Sequence, residues 1–223
     1  MDSQEFDLYR RTTEVYMRKG IKKITMDDMS RELKVSKKTL YKYVKNRAEL
    51  VDKSMEWKLN LDIKVLTGIT EKKLNAIEEL WEMSSYHVGH LKMIHPSLHQ
   101  DLAKYYKEAW KKFNDFTKVG FLYSNVVDNI KKGISEGYYR SDFNVEVIAK
   151  LYLNKIDMVF DPTVFPPTTY NFGDVCREMV KYHLCGIATE KGLLEMKKFW
   201  EDNRPEPGVS SYQQNIIKEF LTA

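Results

Sequence analysis

The chain has 223 residues, 43% of them hydrophobic and 30% charged, which is ordinary for a soluble globular protein with a substantial core. It has no run of about eighteen apolar residues, so it is not expected to span a membrane, and its first residues lack the apolar segment of a signal peptide. Cys176 and Cys185 are the only cysteines, and their spacing along a predicted helix, about 13 Å, is too long for a disulfide. We therefore expect a cytoplasmic protein with no membrane partner.

The net charge of +4 is concentrated near the N-terminus. Residues 1–60 hold 15 lysines and arginines against 10 aspartates and glutamates, an excess of five. The rest of the chain holds 21 against 22, so it carries one net negative charge. A basic segment joined to a nearly neutral body is the charge distribution expected of a protein that binds nucleic acid.

A first amphipathic helix is predicted over residues 3–19, and Gly20 is a natural stop for it. Its inward positions recur at helical spacing: Leu8, Thr12, Val15 and Tyr16. We expect this helix to pack behind the two short helices that follow and to complete a three-helix unit.

Residues 25–47 are predicted to form two short helices joined by a tight turn. Thr25 and Ser36 are good N-caps for these helices, and Asn46 caps a third helix that begins at Arg47. The inward side chains of the two short helices are Met26, Met29, Leu33, Leu40, Tyr43 and Val44. This arrangement is that of a helix-turn-helix DNA-binding motif.

The second short helix turns lysines and hydroxyl-bearing side chains outward. Lysines attract phosphates and release counterions, and threonine and tyrosine hydroxyls donate to phosphate oxygens or base edges. A short helix also fits the major groove. Many charged helices simply face water, but the caps, the apolar stripe and the turn spacing together favour DNA binding.

Several short motifs follow one another within residues 8–55: Gly20, Ile24-Thr25-Met26, Met29-Ser30, Val35-Ser36, Thr39-Leu40-Tyr41-Lys42-Tyr43, Asn46-Arg47 and Glu49-Leu50. Together they resemble the N-terminal domain of TetR-family transcriptional regulators. Lys34 and Lys38 stand where that family usually has glycine, and Val44 stands where it has phenylalanine. Lys34 is therefore expected to take a left-handed conformation in the turn.

The resemblance implies a DNA-binding domain over residues 1–47 and an effector-binding and dimerisation domain over residues 48–223. By the matching family positions, the residues that would face the groove and its edges are Lys37, Lys38, Thr39 and Lys42. Those that would hold phosphates are Thr25, Ser36, Tyr41, Tyr43 and Arg47. The implied partners are a double-stranded DNA operator, a small hydrophobic effector and a second copy of the chain, and no cofactor is implied.

The rest of the chain is predicted to be helical throughout. A helix from Arg47 to about Leu66 leads into the body, with Gly68 and Thr70 marking its end, and further helices are predicted over residues 71–90, 98–119, 121–137, 145–160 and 173–189. No strand pattern or internal repeat competes with this interpretation. We expect an all-α fold, with a three-helix helix-turn-helix domain followed by a helical bundle that binds a ligand and dimerises.

The predicted helix over residues 145–160 is apolar around most of its circumference, so it must be buried on most sides. It is either central to the core of one chain or pairs, together with residues 173–189, with its copy in a four-helix dimer interface. The resemblance implies the dimer, and two heads would match the two half-sites of an operator. The expected interface residues are Ile148, Tyr152, Ile156, Met179, His183 and Ile187.

Aromatic side chains are frequent in the middle helices, and aromatic walls with a few polar groups are typical of small-molecule cavities. Aromatic residues at helical spacing also simply fill a core, and the sequence leaves both interpretations open. The candidate wall residues are Trp81, Tyr86, Met93, Tyr106, Trp110, Phe113, Phe116, Phe121 and Tyr123.

Two histidine pairs, His87 with His90 and His95 with His99, have spacings that can place two imidazoles on one metal ion. No HExxH pattern or nearby cysteine accompanies them, so no metal site is expected. The sequence also lacks the nucleophile-elbow, phosphate-loop and dinucleotide-binding motifs of enzymes, and an enzyme is the least supported class. Residues from Tyr212 to Leu221 are predicted to form a short amphipathic helix that docks on the body or on a dimer mate.

The sequence therefore predicts a transcriptional regulator, a repressor that binds a palindromic operator as a homodimer and is released by a small-molecule effector. One alternative is a DNA-binding protein without an effector, acting architecturally or under the control of a protein partner. Another is a helical small-molecule-binding protein with no DNA role. Activation rather than repression depends on where the operator lies, which the sequence does not contain.

Overall fold

The computed structural model describes residues 3–91 and 94–202, and the side chains of these residues except 89–91 and 199–202. Its elements are α1 (Ser3–Lys19), α2 (Met26–Leu33), α3 (Lys37–Tyr43), α4 (Arg47–Thr70), α5 (Ala76–Leu91), α6 (Leu98–Tyr105), α7 (Lys107–Asn114), a π-helical turn (Asp115–Val119), α8 (Phe121–Ser135), α9 (Val145–Val159), α10 (Phe172–Ile187) and α11 (Glu190–Asp202). The predicted all-α fold is confirmed, since β-pairing within these ranges is limited to one bridge between Tyr139 and Ala188. None of the described helices combines the length and apolar character that crossing a membrane needs.

Helices α1 to α3 and the first half of α4 form the head (residues 3–57) around one hydrophobic cluster. Its innermost side chains are almost completely buried: Tyr9, Tyr16, Met29, Leu33, Leu40 and Leu50. Burial of each such leucine contributes about 1.5–3 kcal/mol. Leu98 and Leu102 of α6 and Ala109 of α7 belong to the same cluster. The head therefore shares its core with two helices from much later in the chain.

The remaining helices form the body around a second cluster, in which α5 packs between α8 and α10. A buried polar bridge crosses this core. The Asn129 side-chain amide on α8 donates to the main-chain oxygen of Ala76 at 2.9 Å and to the Glu79 carboxylate at 3.0 Å, and Glu79 also pairs with Lys132 at 2.7 Å. Buried polar groups are tolerated only when they are hydrogen-bonded, and this bridge ties α8 to the first turn of α5.

The junction between α4 and α5 differs from the predicted one. Helix α4 continues through Gly68 to Thr70, and in the turn that follows Lys73 has a φ of 55°. The Asn75 side-chain oxygen accepts the N–H groups of Ile77 and Glu78, each at 3.0 Å, and so starts α5 at Ala76 rather than at residue 71. The predicted boundary was wrong because a glycine is tolerated inside a helix, whereas a capping side chain sets a helix start.

The single helix predicted over residues 98–119 is divided into three parts. The first break falls at Tyr106, whose φ and ψ are −131° and 70°. The second is the π-helical turn, in which the N–H of Gly120 donates to the oxygen of Asp115 at 2.7 Å. Helix α11 was not predicted as a separate element. Met93 and the predicted helix from Tyr212 to Leu221 lie outside the described residues.

Gly20 ends α1 with a φ of 77°, a conformation that side chains other than glycine rarely adopt. A Cβ atom there would lie 2.7 Å from Ser97 Oγ and 3.0 Å from His95 Nδ1. We expect Gly20→Ala to lower the free energy of unfolding by about 1–2 kcal/mol. The matched control is Gly68→Ala, a helical position with open space around the added Cβ, which should raise it by about 0.5–1 kcal/mol. Urea unfolding measures both changes, and a Gly20→Ala protein as stable as the parent would contradict the expectation.

His183 on α10 is buried, and its ring stacks on Tyr152 with 4.2 Å between centroids. Burial, with a smaller contribution from Lys155, lowers the pKa of His183 to about 4, whereas an imidazole in an unfolded chain titrates near about 6.5. The native state therefore binds fewer protons between these values. The contribution of His183 to stability is complete above about pH 6.5 and is lost progressively as the pH falls from about 6.5 to about 4.

We expect His183→Phe, which keeps a ring against Tyr152, to remove about 2 kcal/mol of the stability difference between pH 7.5 and pH 5. Urea unfolding at the two pH values measures this difference. Burial also lowers the pKa of His99, but His99 is present in both proteins, so the comparison isolates His183. An unchanged pH dependence would show that His183 is not buried in the neutral form.

Candidate nucleic-acid interface and internal cavity

Three N-caps fix the short helices of the head, as the sequence predicts. Thr25 and Asp28 form a capping box: Thr25 Oγ1 accepts the N–H of Asp28 at 3.1 Å, and Asp28 Oδ2 accepts the N–H of Thr25 at 3.0 Å. The hydrogen bonds from Thr25 hold the pKa of Asp28 at about 2. Ser36 caps α3 by accepting the N–H of Thr39 at 3.0 Å, and Asn46 caps α4 in the same way.

The turn between α2 and α3 depends on one residue in the left-handed conformation. Lys34 has φ and ψ of 53° and 41°, which confirms the prediction made for this position. Its N–H donates to the oxygen of Arg31 at 3.2 Å, and the N–H of Val35 donates to the oxygen of Ser30 at 3.0 Å. These bonds satisfy the last carbonyls of α2 and bring the chain directly to the Ser36 cap.

Helix α3 has one buried side and one basic outer side. Leu40 is completely buried, while the residues exposed on the outer side are Lys37, Lys38, Tyr41 and Lys42. We call these four residues the recognition face. The Lys42 ammonium lies 5.4 Å from the centroid of the Tyr43 ring, and Lys37 forms an ion pair with Asp27 of α2. The face therefore combines positive charge with an exposed phenol.

The other predicted DNA contacts have partners inside the head. The hydroxyl of Thr39 contacts that of Ser36 at 2.8 Å, and the hydroxyl of Tyr43 donates to the Gln4 side chain at 3.2 Å. The Arg47 guanidinium donates to the main-chain oxygens of Ile21 and Lys22. In this structure Arg47 holds the loop between α1 and α2, although the sequence suggested a phosphate contact.

A buried carboxylate that the sequence did not reveal holds the same loop from the other side. Asp101 on α6 accepts the N–H groups of Ile21 at 3.2 Å and Lys22 at 2.9 Å, and the hydroxyl of Ser97 at 3.0 Å. Its position in the first turn of α6 resembles that of any acidic residue near a helix start. Only the fold brings it within reach of residues 21 and 22, so no sequence signal identified it.

An internal cavity of about 180 Å³ lies between the two hydrophobic clusters. Side chains from α1, α4 to α10 and the π-helical turn line it. Phe113 and Phe116 are the predicted pocket residues that do so. Its other apolar wall residues include Leu59, Leu80, Met83, Leu122, Val126 and Val159. The cavity therefore has mostly aliphatic walls, and two of the eight described candidate residues border it.

The other described candidates do not line this cavity, namely Trp81, Tyr86, Tyr106, Trp110, Phe121 and Tyr123. Tyr106 and Trp110 pack against the cluster of the head, and Phe121 and Tyr123 pack against that of the body. Tyr86 is completely buried, and its hydroxyl donates to Asp62. Apart from Tyr86, these rings are half-buried, and helical spacing does not separate rings that fill the core from rings that border a space.

Polar side chains that line the cavity were missed altogether. Asp62 of α4 is buried and accepts both the Lys58 ammonium and, at 2.5 Å, the hydroxyl of Tyr86. Burial alone would raise the pKa of Asp62, but Lys58, followed by His87, holds it below its usual range. A Lys58–Asp62 pair at i and i+4 looks like an ordinary surface ion pair in the sequence, which is why it gave no signal.

His99 occupies another part of the cavity wall. Its ring stacks on Phe160 at 4.7 Å and meets Trp110 edge-on at 4.7 Å, and its Nε2 atom lies 3.6 Å from a carboxylate oxygen of Asp157. His95 instead contacts Ser97 at 3.0 Å, and the side chain of His90 lies outside the described part of the chain. No group of three possible metal ligands occurs among the described residues.

Helices α9 and α10 present two different faces. The predicted interface residues point toward the interior of their own chain: Tyr152, His183 and Ile187 are buried, and Ile148, Ile156 and Met179 are half-buried. The large apolar side chains that these helices expose are instead Val147, Leu151, Met158 and Tyr182, with exposed fractions from 43% to 74%. We call these four residues the outer face, because an interface built on α9 and α10 would have to use them.

No protein-family model matches the sequence. YvaF, an HTH-type transcriptional regulator of Bacillus subtilis strain 168, is 23% identical over 168 residues, which are 75% of this chain and 87% of YvaF. The match extends well beyond the length of the head.

Solved structures share the whole architecture. A transcriptional regulator of the TetR family from Cytophaga hutchinsonii superposes with a TM-score of 0.64 at 17% identity, over 85% of this chain and 96% of that chain. The regulator FadR from Bacillus subtilis, solved in complex with stearoyl-CoA, gives a TM-score of 0.64 at 18% identity, over 83% of this chain and 100% of that chain. The resemblance carried by the N-terminal motifs is confirmed, and this chain has the all-helical fold of the TetR-family transcriptional regulators.

Proposed function

We propose that this chain is a TetR-family transcriptional regulator that binds double-stranded DNA through α3. The observation that carries the proposal is the recognition face, four exposed residues (Lys37, Lys38, Tyr41 and Lys42) on a short helix fixed by its own cap. A helix of this size fits the major groove, and the excess positive charge of residues 1–60 lies in the same part of the chain. The similarity to YvaF supports the proposal.

The residues of the head take different roles in this proposal. Lys38 and Lys42 reach base edges or phosphates, and Lys37 exchanges its exposed ion pair with Asp27, which is worth little in water, for a DNA phosphate. The phenol of Tyr41 donates to the backbone, with Thr25, Ser36, Thr39 and Tyr43 at the edge of the contact. Arg47 acts indirectly by holding the loop between α1 and α2.

A homodimer supplies the second head. One short helix covers only a half-site. In a two-fold symmetric dimer the two heads bind the two half-sites of a palindromic operator. The outer face is the surface of α9 and α10 that carries large apolar side chains. In this proposal it packs against its copy in a four-helix interface.

The effector occupies the cavity and acts through α6. Leu98, His99 and Leu102 line the cavity, while Asp101 on the same helix holds residues 21 and 22 of the head. A ligand that favours one position of α6 therefore favours one position of the head. We propose that it shifts the population away from dimers whose heads fit successive major-groove turns, which would release a repressor from its operator in the cytoplasm.

The two alternatives make different demands on the molecule. A regulator without an effector would leave the cavity and its buried polar groups without a role. A small-molecule-binding protein without a DNA role would leave the recognition face without one. The fold is also that of transcriptional regulators rather than enzymes.

Selection of bound duplexes from a random DNA pool at near-physiological salt tests DNA recognition, and we expect an enriched inverted repeat. On that sequence the double variant Lys38→Ala/Lys42→Ala should bind roughly tenfold more weakly or worse. The slope of its log binding constant against log salt concentration should fall by an amount equivalent to about one to two phosphate contacts. Lys197→Ala, which removes an exposed lysine from α11, is the control and should bind like the parent. Failure to enrich any sequence, or full affinity of the double variant, would refute the proposed role of α3.

Sedimentation analysis tests the proposed interface. The double variant Leu151→Glu/Tyr182→Glu places charges at positions that are 56% and 74% exposed, so it should leave the fold of one chain intact. We expect it to sediment as a monomer, because burying unpaired carboxylates in an apolar interface is costly. Leu194→Glu, at a 63% exposed position of α11, should remain a dimer. A monomeric parent or a dimeric double variant would argue against this interface.

A further inference from the structure

The cavity wall contains one ion pair in an otherwise mainly apolar lining. Lys58 and Asp62 both line the cavity, and their side chains are only 13% and 9% exposed. The ammonium and the carboxylate are in direct contact, and Tyr86 donates to the same carboxylate oxygen. Their charges cancel, so this part of the wall is polar but carries no net charge.

Four hydroxyl groups of the wall already donate hydrogen bonds within their own helices. Each donates to the main-chain oxygen four residues earlier in its own helix: Thr13 to Tyr9, Ser54 to Leu50, Ser84 to Leu80 and Thr117 to Phe113. A hydroxyl that donates in this way keeps only lone pairs for other partners. These oxygens can therefore accept a hydrogen bond from a ligand but cannot donate one.

Two further ionisable groups of the wall, His99 and Cys176, favour their neutral forms. Burial lowers the pKa of His99 and raises the pKa of the Cys176 thiol to about 11, so both favour their neutral forms. A ligand with a formal charge would then be buried without a counterion, or would have to separate Lys58 from Asp62.

The size of the cavity limits the ligand as well. A protein cavity of about 150 Å³ with aliphatic and aromatic walls holds one benzene molecule. A cavity of about 180 Å³ therefore suits a compact molecule of roughly eight to ten non-hydrogen atoms. This space is far smaller than an acyl chain joined to coenzyme A.

We propose that the cavity binds a compact, uncharged alcohol or phenol, whose apolar part fills the aliphatic space and whose hydroxyl group joins the Lys58–Asp62 pair. A hydroxyl both accepts and donates, so it can accept from the ammonium and donate to the carboxylate or to one of the four helical oxygens. The proposal assigns a ligand class to the effector cavity and thus rests on the function proposed above.

Calorimetric titration of the full chain, without DNA, at pH 8 tests this assignment with four probes of one skeleton: ethylbenzene, 2-phenylethanol, phenylacetate and 2-phenylethylammonium. We expect 2-phenylethanol to bind at least about tenfold more tightly than each of the other three, as hydrogen bonds to buried charged groups imply. Equal or tighter binding of either ion, or no binding of any probe, would overturn the assignment. DNA recognition is measured separately and does not depend on this result.

A variant without the ion pair tests whether the pair causes the tighter binding of 2-phenylethanol. Lys58→Met/Asp62→Leu/Tyr86→Phe removes both charges and the phenol together, so no buried charge is left unpaired, and such replacements are commonly neutral or stabilising. We expect it to unfold at a temperature close to that of the parent and to bind 2-phenylethanol no better than ethylbenzene. Lys64→Met, at an exposed position of the same helix, is the matched control and should keep the preference. A triple variant that still prefers the alcohol would refute the role of the pair.

Discussion

The position of the head depends on one loop, residues 20–22, which is held from both sides. Arg47 of the head binds its carbonyl groups, and Asp101 of α6 binds its N–H groups. Asp101 is only 6% exposed, so breaking these bonds without replacing them would remove two of the hydrogen bonds to a buried carboxylate and leave the one from the Ser97 hydroxyl, which is costly. The head is therefore tied to α6 at this loop, in addition to its connection to the body through the continuous helix α4.

Helix α6 also lines the cavity, whose walls come from both hydrophobic clusters. An unfilled space in a core costs about 20–25 cal/mol per Å³ compared with a packed one, so this cavity lowers stability by several kcal/mol while it is empty. In the proposed function, a bound molecule recovers part of that loss and favours the position of α6 that packs against it. Loose packing next to the helix that orients the head is thus a physical route from ligand binding to DNA affinity.

The sequence predicted what depends on neighbouring residues and missed what depends on distant ones. Local spacing and backbone chemistry predicted the three caps, the left-handed Lys34 and the outward lysines of α3. The structure has the caps and the left-handed Lys34 as predicted, and the lysines are exposed. The Asp101 contacts span about eighty positions, and the walls of the cavity come from nine elements. Helical periodicity indicates that Trp110 and Phe113 face inward, but not whether a core atom or a space lies opposite each ring.

Helix α9 has sides with different surroundings, which the apolar pattern of its sequence does not distinguish. Its inner side packs Ala149 and Leu153 into the core, Ile156 borders the cavity, and Val147 and Leu151 face away from the chain. Because its apolar residues lie on most sides, periodicity alone does not separate a core face from an interface face. Of the six residues expected in the dimer interface, Tyr152, His183 and Ile187 are buried within their own chain, and Ile148, Ile156 and Met179 are half-buried. Within the proposed dimer, the cavity and the partner chain lie on different sides of this one helix. A ligand that repositions α9 would then change the angle between the two subunits as well as the position of each head.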